Sequence, residues 1–253
     1  MRLLTLARDL RRRKARERQA LFVVEGVRAV EELLSSPLQI RGVLTAPQLD
    51  GAQRGAELRT NIAARGVPQS TVTEAEFRSA AETESPQGVL AIAEIPQRSL
   101  EDCIRAGTLR LLVLDAVQDP GNVGTILRTA AALGATATIA LPGTVDLWNA
   151  KVVRAAMGAH FTHTALSTTT DELLAFLGER GFELWGSDAK GETVERSHPP
   201  ERLALAMGNE GGGLSSSVRA AATRMVSLPI ATGVESLNVA VACGILLYRL
   251  RGQ

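Results

Sequence analysis

The clearest indication of the fold class is the stretch LRLLVLDAVQDPGNVGTILRTAAALGATATIAL, residues 109–141. It contains an apolar run, a turn with Pro and Gly, a helical segment that ends at Gly134, and a second apolar run. Continuous apolar runs joined by helices are typical of parallel strands that are buried on both faces of a sheet. Further apolar runs alternate with helical segments at 182–187, 202–207 and 225–229. We therefore predict an α/β fold with a mostly parallel sheet, and this pattern by itself favours an ordinary doubly wound sheet.

A smaller α/β pattern precedes this sheet. It begins with a basic helix and continues with strands at 21–26, 41–46 and 88–95 and a helix at 73–83. Such alternation of strands and helices over a short segment is typical of a small domain. A stretch without strand periodicity begins at Pro96 and indicates a linker. We predict one domain over residues 1–97 and a second over residues 98–253.

The composition predicts a folded protein with an uneven charge distribution. The chain has 253 residues, of which 45% are hydrophobic, enough to bury a sizeable core. Its net charge is +1, but the first twenty residues hold eight basic and two acidic side chains, so this segment carries +6 and the remainder −5. Clustered basic side chains bind polyanions by releasing condensed counterions, whereas the alternative is a solvated helix face. Charge alone does not separate these two interpretations.

Cysteine and histidine spacing bears on the compartment and on metal binding. Cys103 and Cys243 are far apart and have no metal-ligand spacing, which favours a reducing compartment. His160 and His163 are close in sequence, but no third ligand cluster accompanies them, which favours structural histidines. No apolar run approaches the length of a membrane span, and no apolar signal core follows the arginine-rich start. We therefore expect a cytoplasmic protein with no metal and no membrane association.

The first of three polar motifs, DPGNVGTILRTAAALGA (119–135), lies where the first strand of residues 109–141 ends and the helix begins. Open α/β sheets bind ligands at such strand ends. Asn122 is placed to cap the helix, and Arg128 stands out within the apolar segment TILRTAAAL. The alternative is a structural helix in which Arg128 extends its charged end into solvent.

The second and third motifs lie at two later strand ends. ALAMGNEGG (204–212) runs into glycines, which either let a backbone approach a ligand closely or simply make a turn. Its position near the end of the chain does not fit the nicotinamide-binding pattern G-x-G-x-x-G. SLPIATGVESLNVAVACGILLY (227–248) runs through a polar loop into an apolar helix, where Ser236 is the expected N-cap. Asn238, at the start of so apolar a helix, needs hydrogen-bond partners.

In this order, the three motifs resemble the SpoU (TrmH-like) family of RNA 2′-O-ribose methyltransferases, within the SPOUT superfamily. The resemblance implies a C-terminal parallel-sheet methyltransferase domain with a deep trefoil knot, S-adenosyl-L-methionine as cofactor, and a homodimer. The catalytic residues that it implies are Asn122, Arg128, Ser236 and Asn238. The cofactor-binding residues that it implies are Gly208, Glu210, Leu228, Ile230 and Leu237.

The resemblance extends to the N-terminal segments RRRKARERQALFVVEG (11–26) and SPQGVLAIAEIP (85–96). They look like parts of the family's substrate-binding domain, whose fold is similar to the ribosomal L30e and L7Ae proteins. The RNA-binding residues that this implies are Arg11, Arg12, Arg13, Lys14 and Arg16. With only 3% aromatic residues, recognition is expected to use phosphates and RNA shape rather than base stacking. Lys151 and Arg154, on a later helix, either face RNA or form a solvated helix edge.

The expected activity is transfer of a methyl group to a ribose 2′-oxygen, with 23S ribosomal RNA as the favoured substrate. Transfer RNA is the alternative substrate, and a non-catalytic RNA-binding protein of the same fold is the alternative class. A nicotinamide dehydrogenase ranks third because the glycines are misplaced. Arg128 is a poor base because a guanidinium stays protonated, so holding a phosphate and stabilising alkoxide charge fit it better. The general base is left unassigned, and Asp188 is a further polar candidate near the pocket.

Overall fold

The computed structural model describes residues 2–105, 107–194, 198–234 and 236–251. Two compact units make up the chain: Met1–Gln97 with Trp148–Thr162, and Arg98–Leu147 with His163–Gln253. The segment Trp148–Thr162 therefore packs with the N-terminal residues, although it lies inside the second of the predicted domains. The boundary of independently folding domains between residues 97 and 98 stays a prediction.

The first unit is built on a mixed four-stranded sheet. Its strands are β1 (Leu21–Glu25), β2 (Ile40–Thr45), β3 (Gln69–Thr71) and β4 (Val89–Glu94), in the order β1-β4-β2-β3. Strand β4 is antiparallel to β1 and β2, whereas β2 and β3 are parallel. The three predicted strands are confirmed. Strand β3 escapes prediction because its three polar residues are at most half-buried and carry no apolar pattern.

The second unit is built on a six-stranded sheet in which all neighbouring strands are parallel. Its strands are β5 (Leu109–Asp115), β6 (Ala137–Ala140), β7 (Thr164–Ser167), β8 (Glu183–Thr193), β9 (Arg202–Gly208) and β10 (Arg224–Ser227), in the order β10-β8-β9-β5-β6-β7. The predicted parallel sheet is confirmed. An ordinary doubly wound order would place β8 beside β5, but β9 lies there instead. The trefoil knot that the resemblance implies stays a prediction.

Helices pack against both sheets. In chain order they are α1 (Leu3–Asp9), α2 (Arg13–Gln19), α3 (Val27–Leu34), α4 (Gln53–Ala64), α5 (Glu74–Ala80), α6 (Pro120–Ala132), α7 (Ala150–Ala156), α8 (Thr170–Glu179), α9 (Ser216–Ala221) and α10 (Val239–Leu250). Short 3₁₀ turns lie at Pro47–Gly51, Leu100–Cys103 and Ala159–Phe161. The predicted basic helix is thus two short helices, α1 and α2. Helix α4 escapes prediction because only a narrow stripe of its residues, Gly55, Leu58 and Ile62, is buried.

A buried arginine holds the end of α10 against the second sheet. Arg110 of β5 donates from Nε to the carbonyl of Leu250 at 2.6 Å and from Nη1 to the carbonyl of Pro200 at 2.8 Å. Burial lowers the pKa of this guanidinium. Carbonyl groups at a helix end lack partners within the helix, so the bond to Leu250 satisfies a group that would otherwise be orphaned. Within the described residues, no helix is long and apolar enough to cross a membrane.

Candidate active site

A cavity of about 460 Å³ opens beside β8 and at the carboxyl ends of β9 and β10. Ligands of open α/β sheets bind at this edge, and the volume falls in the range of small-molecule sites. The residues predicted for cofactor binding or catalysis that line it are Gly208, Glu210, Leu228, Ile230, Ser236, Leu237 and Asn238. The structure thus brings together the second and third motifs, whereas Asn122 and Arg128 lie on α6.

The glycine-rich loop after β9 forms one wall, because one stretch of backbone lies directly against another. A Cβ atom built on Gly208 would lie 2.3 Å from the carbonyl carbon of Gly213. Asn209 and Gly213 exchange two backbone hydrogen bonds of 2.9 Å, and the side chain of Asn209 accepts the N–H groups of Gly211 and Gly212. Only glycine at position 208 leaves room for this closure.

Three polar side chains, one from each motif, form a hydrogen-bonded network. Asn122 donates from Nδ2 to Oε1 of Glu210 at 3.0 Å, and Asn238 donates from Nδ2 to Oδ1 of Asn122 at 2.9 Å. An ionised carboxylate only accepts hydrogen bonds, so Glu210 fixes which end of the Asn122 amide faces it. Asn122 in turn fixes the orientation of Asn238. We refer to this arrangement as the Glu210–Asn122–Asn238 network.

Glu210 is held in its charged form by this network. Burial works to raise the pKa of its carboxyl, but the hydrogen bonds from Asn122 and from backbone N–H groups, including that of Gln118, outweigh it and lower the pKa. A carboxyl with a lowered pKa is ionised at neutral pH and is a weak proton acceptor. Glu210 is therefore suited to orienting Asn122 rather than to removing a proton.

The helix caps differ from the predicted ones. Asp119, not Asn122, is the N-cap of α6, and its Oδ1 accepts the backbone N–H of Asn122 at 2.7 Å. Asn238, not Ser236, is the N-cap of α10, and its Oδ1 accepts two first-turn N–H groups at 2.9 and 3.3 Å. Ser236 lies too early because the helix begins at Val239. The side-chain oxygen of Asn238 therefore caps α10, and its side-chain nitrogen donates to Asn122.

Arg128 lies further along α6, on its exposed side, and does not line the cavity. Ser236 does line it and is exposed. A guanidinium offers several donors in a planar fork, which matches the oxygens of a phosphate. Its position outside the cavity suits a partner that approaches from solvent rather than the occupant of the cavity.

The arginines predicted to bind RNA do not share one environment. Four of the five residues are exposed: Arg11, Arg12, Arg13 and Lys14. Arg12 forms an ion pair with Asp9, and Arg13 forms one of 2.7 Å with Glu17. Arg16 is only 4% exposed and donates to the carbonyls of Leu10 and Arg11 at 2.8 and 3.0 Å. Arg16 thus ties α2 to the end of α1, and its expected contact with RNA stays a prediction.

Comparison with known proteins matches each of the two parts of the chain to a known family. The SpoU rRNA Methylase family matches residues 110–248, and the MRM3-like substrate binding domain matches residues 5–91. The chain belongs to the SpoU family. The resemblance predicted from the three motifs is confirmed, and a substrate-binding domain precedes the SpoU segment as expected. The likeness of that domain to L30e stays a prediction.

Individual SpoU proteins resemble the chain over most of its length. RlmP of Bacillus subtilis, a 23S rRNA (guanosine(2553)-2'-O)-methyltransferase, is 33% identical over 246 residues, which cover 97% of this chain and 94% of RlmP. The 23S rRNA (adenosine(1067)-2'-O)-methyltransferase of Streptomyces laurentii is 32% identical over 188 residues, covering 73% and 70%. The SpoU methyltransferase AviRb of Streptomyces viridochromogenes, solved in complex with AdoMet, superimposes with a TM-score of 0.89 at 27% identity, covering 98% and 96%.

The cavity of this SpoU protein also contains an ion pair. Arg219 and Asp188 both line it, and Arg219 Nη1 lies 2.6 Å from Asp188 Oδ2. A hydrogen bond from the backbone N–H of Lys190 lowers the pKa of Asp188, and Arg219 lowers it further. Asp188 is detectable in the sequence as an acidic residue that follows an apolar strand. Arg219 is not, because nothing in the short helix α9 distinguishes it from a surface arginine.

The histidines of this SpoU protein lie outside the cavity. His163 Nε2 is 2.8 Å from Oγ1 of Thr138, and the ring of His160 lies 4.9 Å from that of Trp148 in the first unit, tilted by 59°. Among the residues that the structure describes, no group of three or more His, Cys, Asp or Glu side chains is arranged to hold a metal ion.

Acid should destabilise the protein partly through His163. Burial lowers the pKa of this imidazole from 6.5 to about 4, and the charge of Arg105 adds to the effect. Between these two values the unfolded chain binds a proton that the folded chain does not, so the free energy of unfolding falls as the pH drops from 6.5 towards 4, by at most about 3 kcal/mol. Chemical denaturation across this range should show a shallower fall for His163→Gln. Identical pH profiles for the two proteins would contradict this assignment.

Proposed function

We propose that this SpoU family protein transfers a methyl group from S-adenosyl-L-methionine to the 2′-oxygen of a ribose in 23S ribosomal RNA. One observation carries the proposal: the Glu210–Asn122–Asn238 network joins all three sequence motifs beside one cavity. Two relatives, RlmP and the Streptomyces laurentii protein, are named for this reaction on this RNA. Because they are named for different nucleotides, the target nucleotide is to be assigned by experiment.

The cavity suits S-adenosyl-L-methionine in size and chemistry. It has an apolar side made by Leu228, Ile230 and Leu237, which matches an adenine ring. It also contains the carboxylates of Asp188 and Glu210, and both carboxyl groups have lowered pKa values. Arg219 pairs with Asp188, so these three side chains leave one negative charge, which favours a ligand that carries a sulfonium and an ammonium group. AviRb, which has the same fold, was solved with this cofactor.

The residues around the cavity act by positioning and by charge. S-adenosyl-L-methionine, when bound, supplies an electrophilic methyl group on a sulfonium. The Glu210–Asn122–Asn238 network holds its amides in one orientation, and Ser236 with Asn238 orients the ribose hydroxyl at the cavity wall. Holding two reactants in line can supply about 7–11 kcal/mol of the barrier reduction. Arg128, outside the cavity, binds the phosphate beside that ribose and stabilises the developing alkoxide charge.

We propose further that the protein is a homodimer joined through α10. Three apolar side chains on one side of this helix are exposed, with Val241 52%, Ile245 40% and Tyr248 52% accessible. Their spacing of four and three residues places them in one stripe. Symmetric dimers commonly bury such a stripe against its own copy. The stripe follows directly from Asn238, so the dimer interface would continue to the edge of the cavity.

Replacing Ile245 and Tyr248 together by lysine should convert the dimer to a monomer. Four lysines across a symmetric interface would lose apolar contact and repel one another. Light scattering coupled to size exclusion should show the mass falling by half. Arg98→Gln, an exposed change far from α10 in the sequence, is the control and should stay dimeric. A wild-type protein that is monomeric at micromolar concentration would overturn the dimer proposal.

In this proposal the RNA binds to the substrate-binding part of the chain, residues 5–91. We propose that Arg11, Arg12, Arg13 and Lys14 contact its phosphates, because all four are exposed on or beside α2. Since ribosomal RNA is made and assembled in the cytoplasm of bacteria, we place the protein there. Transfer RNA is the alternative substrate, and an RNA-binding protein without activity is the alternative class.

Transfer of a radioactive methyl group tests the proposal. Purified protein is incubated with tritiated S-adenosyl-L-methionine and unmodified bacterial total RNA, and alkaline cleavage then maps the protected 2′-O-methyl positions. Label at one nucleotide of 23S ribosomal RNA is the expected result. Label in transfer RNA would keep the reaction and replace the substrate. Absence of label together with absence of cofactor binding by calorimetry would favour the non-catalytic protein.

A further inference from the structure

Helix α7 belongs to the SpoU segment by sequence and to the first unit by packing. The SpoU family matches residues 110–248, which include α7, but the segment Trp148–Thr162 packs with Met1–Gln97. The inner side of α7 is buried through Val152, Val153 and Ala156, and the helix packs against β1. The substrate-binding unit therefore includes a helix that the substrate-binding domain match, residues 5–91, does not contain.

Aromatic contacts fix this segment to the first unit. Trp148 lies 4.6 Å from Phe22 of β1 and 4.9 Å from His160, measured between ring centroids. Phe161 lies 6.3 Å from Phe22 on the same basis. These side chains, all buried, bracket α7 at both of its ends. Aromatic pairs at such distances add to the free energy of burial, so the position of α7 on β1 is well defined.

The outer side of α7 is basic, and the helix contains no acidic residue that would neutralise it. Lys151 and Arg154 are exposed at a spacing of three residues, which places them on the same side of the helix. The segment 148–162 contains no Asp or Glu. Neither side chain forms an ion pair with a described carboxylate, in contrast to Arg12 and Arg13 of the N-terminal segment.

The start of α7 and the N-terminal basic segment meet at one edge of the first sheet. A small cleft beside the edge strand β1 is lined by Arg11 and Arg16 from the N-terminal segment and by Trp148 and Ala150 from the α7 segment. Glu82 is the carboxylate that borders the same cleft. Lys151 is exposed and directly follows Ala150, so its backbone lies next to the cleft that Arg11 also lines.

We propose that Lys151 and Arg154 of α7 bind RNA phosphates as part of the same surface as Arg11 and Lys14. This inference rests on the proposed function, since it names a second element that holds the same RNA. Unpaired basic side chains release condensed counterions when they meet phosphates, and they need not first break an ion pair. Two of the six basic side chains proposed to bind RNA would then come from a helix that lies between β6 and β7 in the SpoU segment.

The double variant Lys151→Gln, Arg154→Gln tests the inference. Equilibrium binding of a fluorescent 23S ribosomal RNA fragment is measured at several salt concentrations, for the wild type and the variant. Losing two phosphate contacts should weaken binding about tenfold near 0.1 M salt and reduce the slope of log K against log salt by about 1.5. Cofactor affinity by calorimetry and the thermal midpoint should stay unchanged, because neither residue lines the cavity or is buried.

The matched control is Arg98→Gln, Arg202→Gln, which removes the same charge from two exposed positions of the second unit, neither of which forms an ion pair with a described carboxylate. It should bind RNA nearly as the wild type does. Equal losses in both double variants would overturn the inference, because they would show a general charge effect. Unchanged RNA binding in the α7 variant would also overturn it and leave the proposed function standing. If the wild type transfers no methyl group to any RNA, the proposed function itself fails.

Discussion

Replacing Arg128 by alanine should lower the rate of methyl transfer by about 100- to 1,000-fold while the cofactor dissociation constant stays the same. Arg128 is exposed on α6, and it is not among the residues that line the cavity. In the proposed reaction its guanidinium holds the phosphate next to the reacting ribose and stabilises charge that develops on the 2′-oxygen. Removing it therefore takes away an interaction made in the transition state and leaves the cavity as it is.

Single-turnover kinetics with saturating RNA, together with calorimetric titration of S-adenosyl-L-methionine, measures both quantities. Arg128→Lys keeps the charge but loses the planar fork, so it should recover only part of the rate. Arg249→Ala, an exposed arginine on α10, is the control and should transfer at the wild-type rate. A variant Arg128→Ala that loses cofactor binding and thermal stability together with activity would mark Arg128 as a structural residue.

Gly208→Ala should abolish cofactor binding and lower the free energy of unfolding by about 1–3 kcal/mol. The added Cβ would lie 2.3 Å from the carbonyl carbon of Gly213 and 2.5 Å from the backbone nitrogen of Leu214. Both neighbours are backbone atoms, so no side-chain rotation relieves the clash. The loop that carries Asn209 and Glu210 must move, and the cavity wall and the Glu210–Asn122–Asn238 network move with it.

Gly211→Ala, in the same loop, is the matched control. The nearest atom to a Cβ at that position, Oδ1 of Asn209, is 3.7 Å away, an ordinary van der Waals contact. Its cofactor affinity and its unfolding midpoint in denaturant should stay close to those of the wild type. Tight cofactor binding by Gly208→Ala would show that the loop closes in another way and would remove Gly208 from the candidate site.

Much of the fold was predictable from local patterns. The apolar run at 109–115 and the helix that ends before Gly134 both appear where the pattern predicts them, as β5 and α6. Buried parallel strands and helices leave such signals because each residue's burial follows from its place in a short repeat. The order of the strands in the sheet, in contrast, has no corresponding pattern in the sequence. Which of β8 and β9 lies beside β5 depends on how the chain passes between strands, and the composition of the strands does not encode that path.

The candidate site was predictable in its residues but not in its connections. The motifs pointed to Asn122, Glu210 and Asn238, yet only the folded chain places one amide between a carboxylate and a second amide. The caps illustrate the same limit. Several polar residues precede each helix, and the residue that becomes the cap depends on where the helix begins: Asp119 for α6 and Asn238 for α10.

The family, the parallel sheet and seven of the residues that line the cavity were predictable from the sequence, because they depend on side-chain type and spacing along the chain. Besides the strand order and the network, three contacts became visible only in the folded chain: Arg16 is buried, Arg219 joins Asp188 in the cavity wall, and α7 packs on the first unit. Each of these is a contact between residues that are distant in sequence or that look like ordinary surface positions. Burial and pairing of that kind arise only when the chain has brought the partners together.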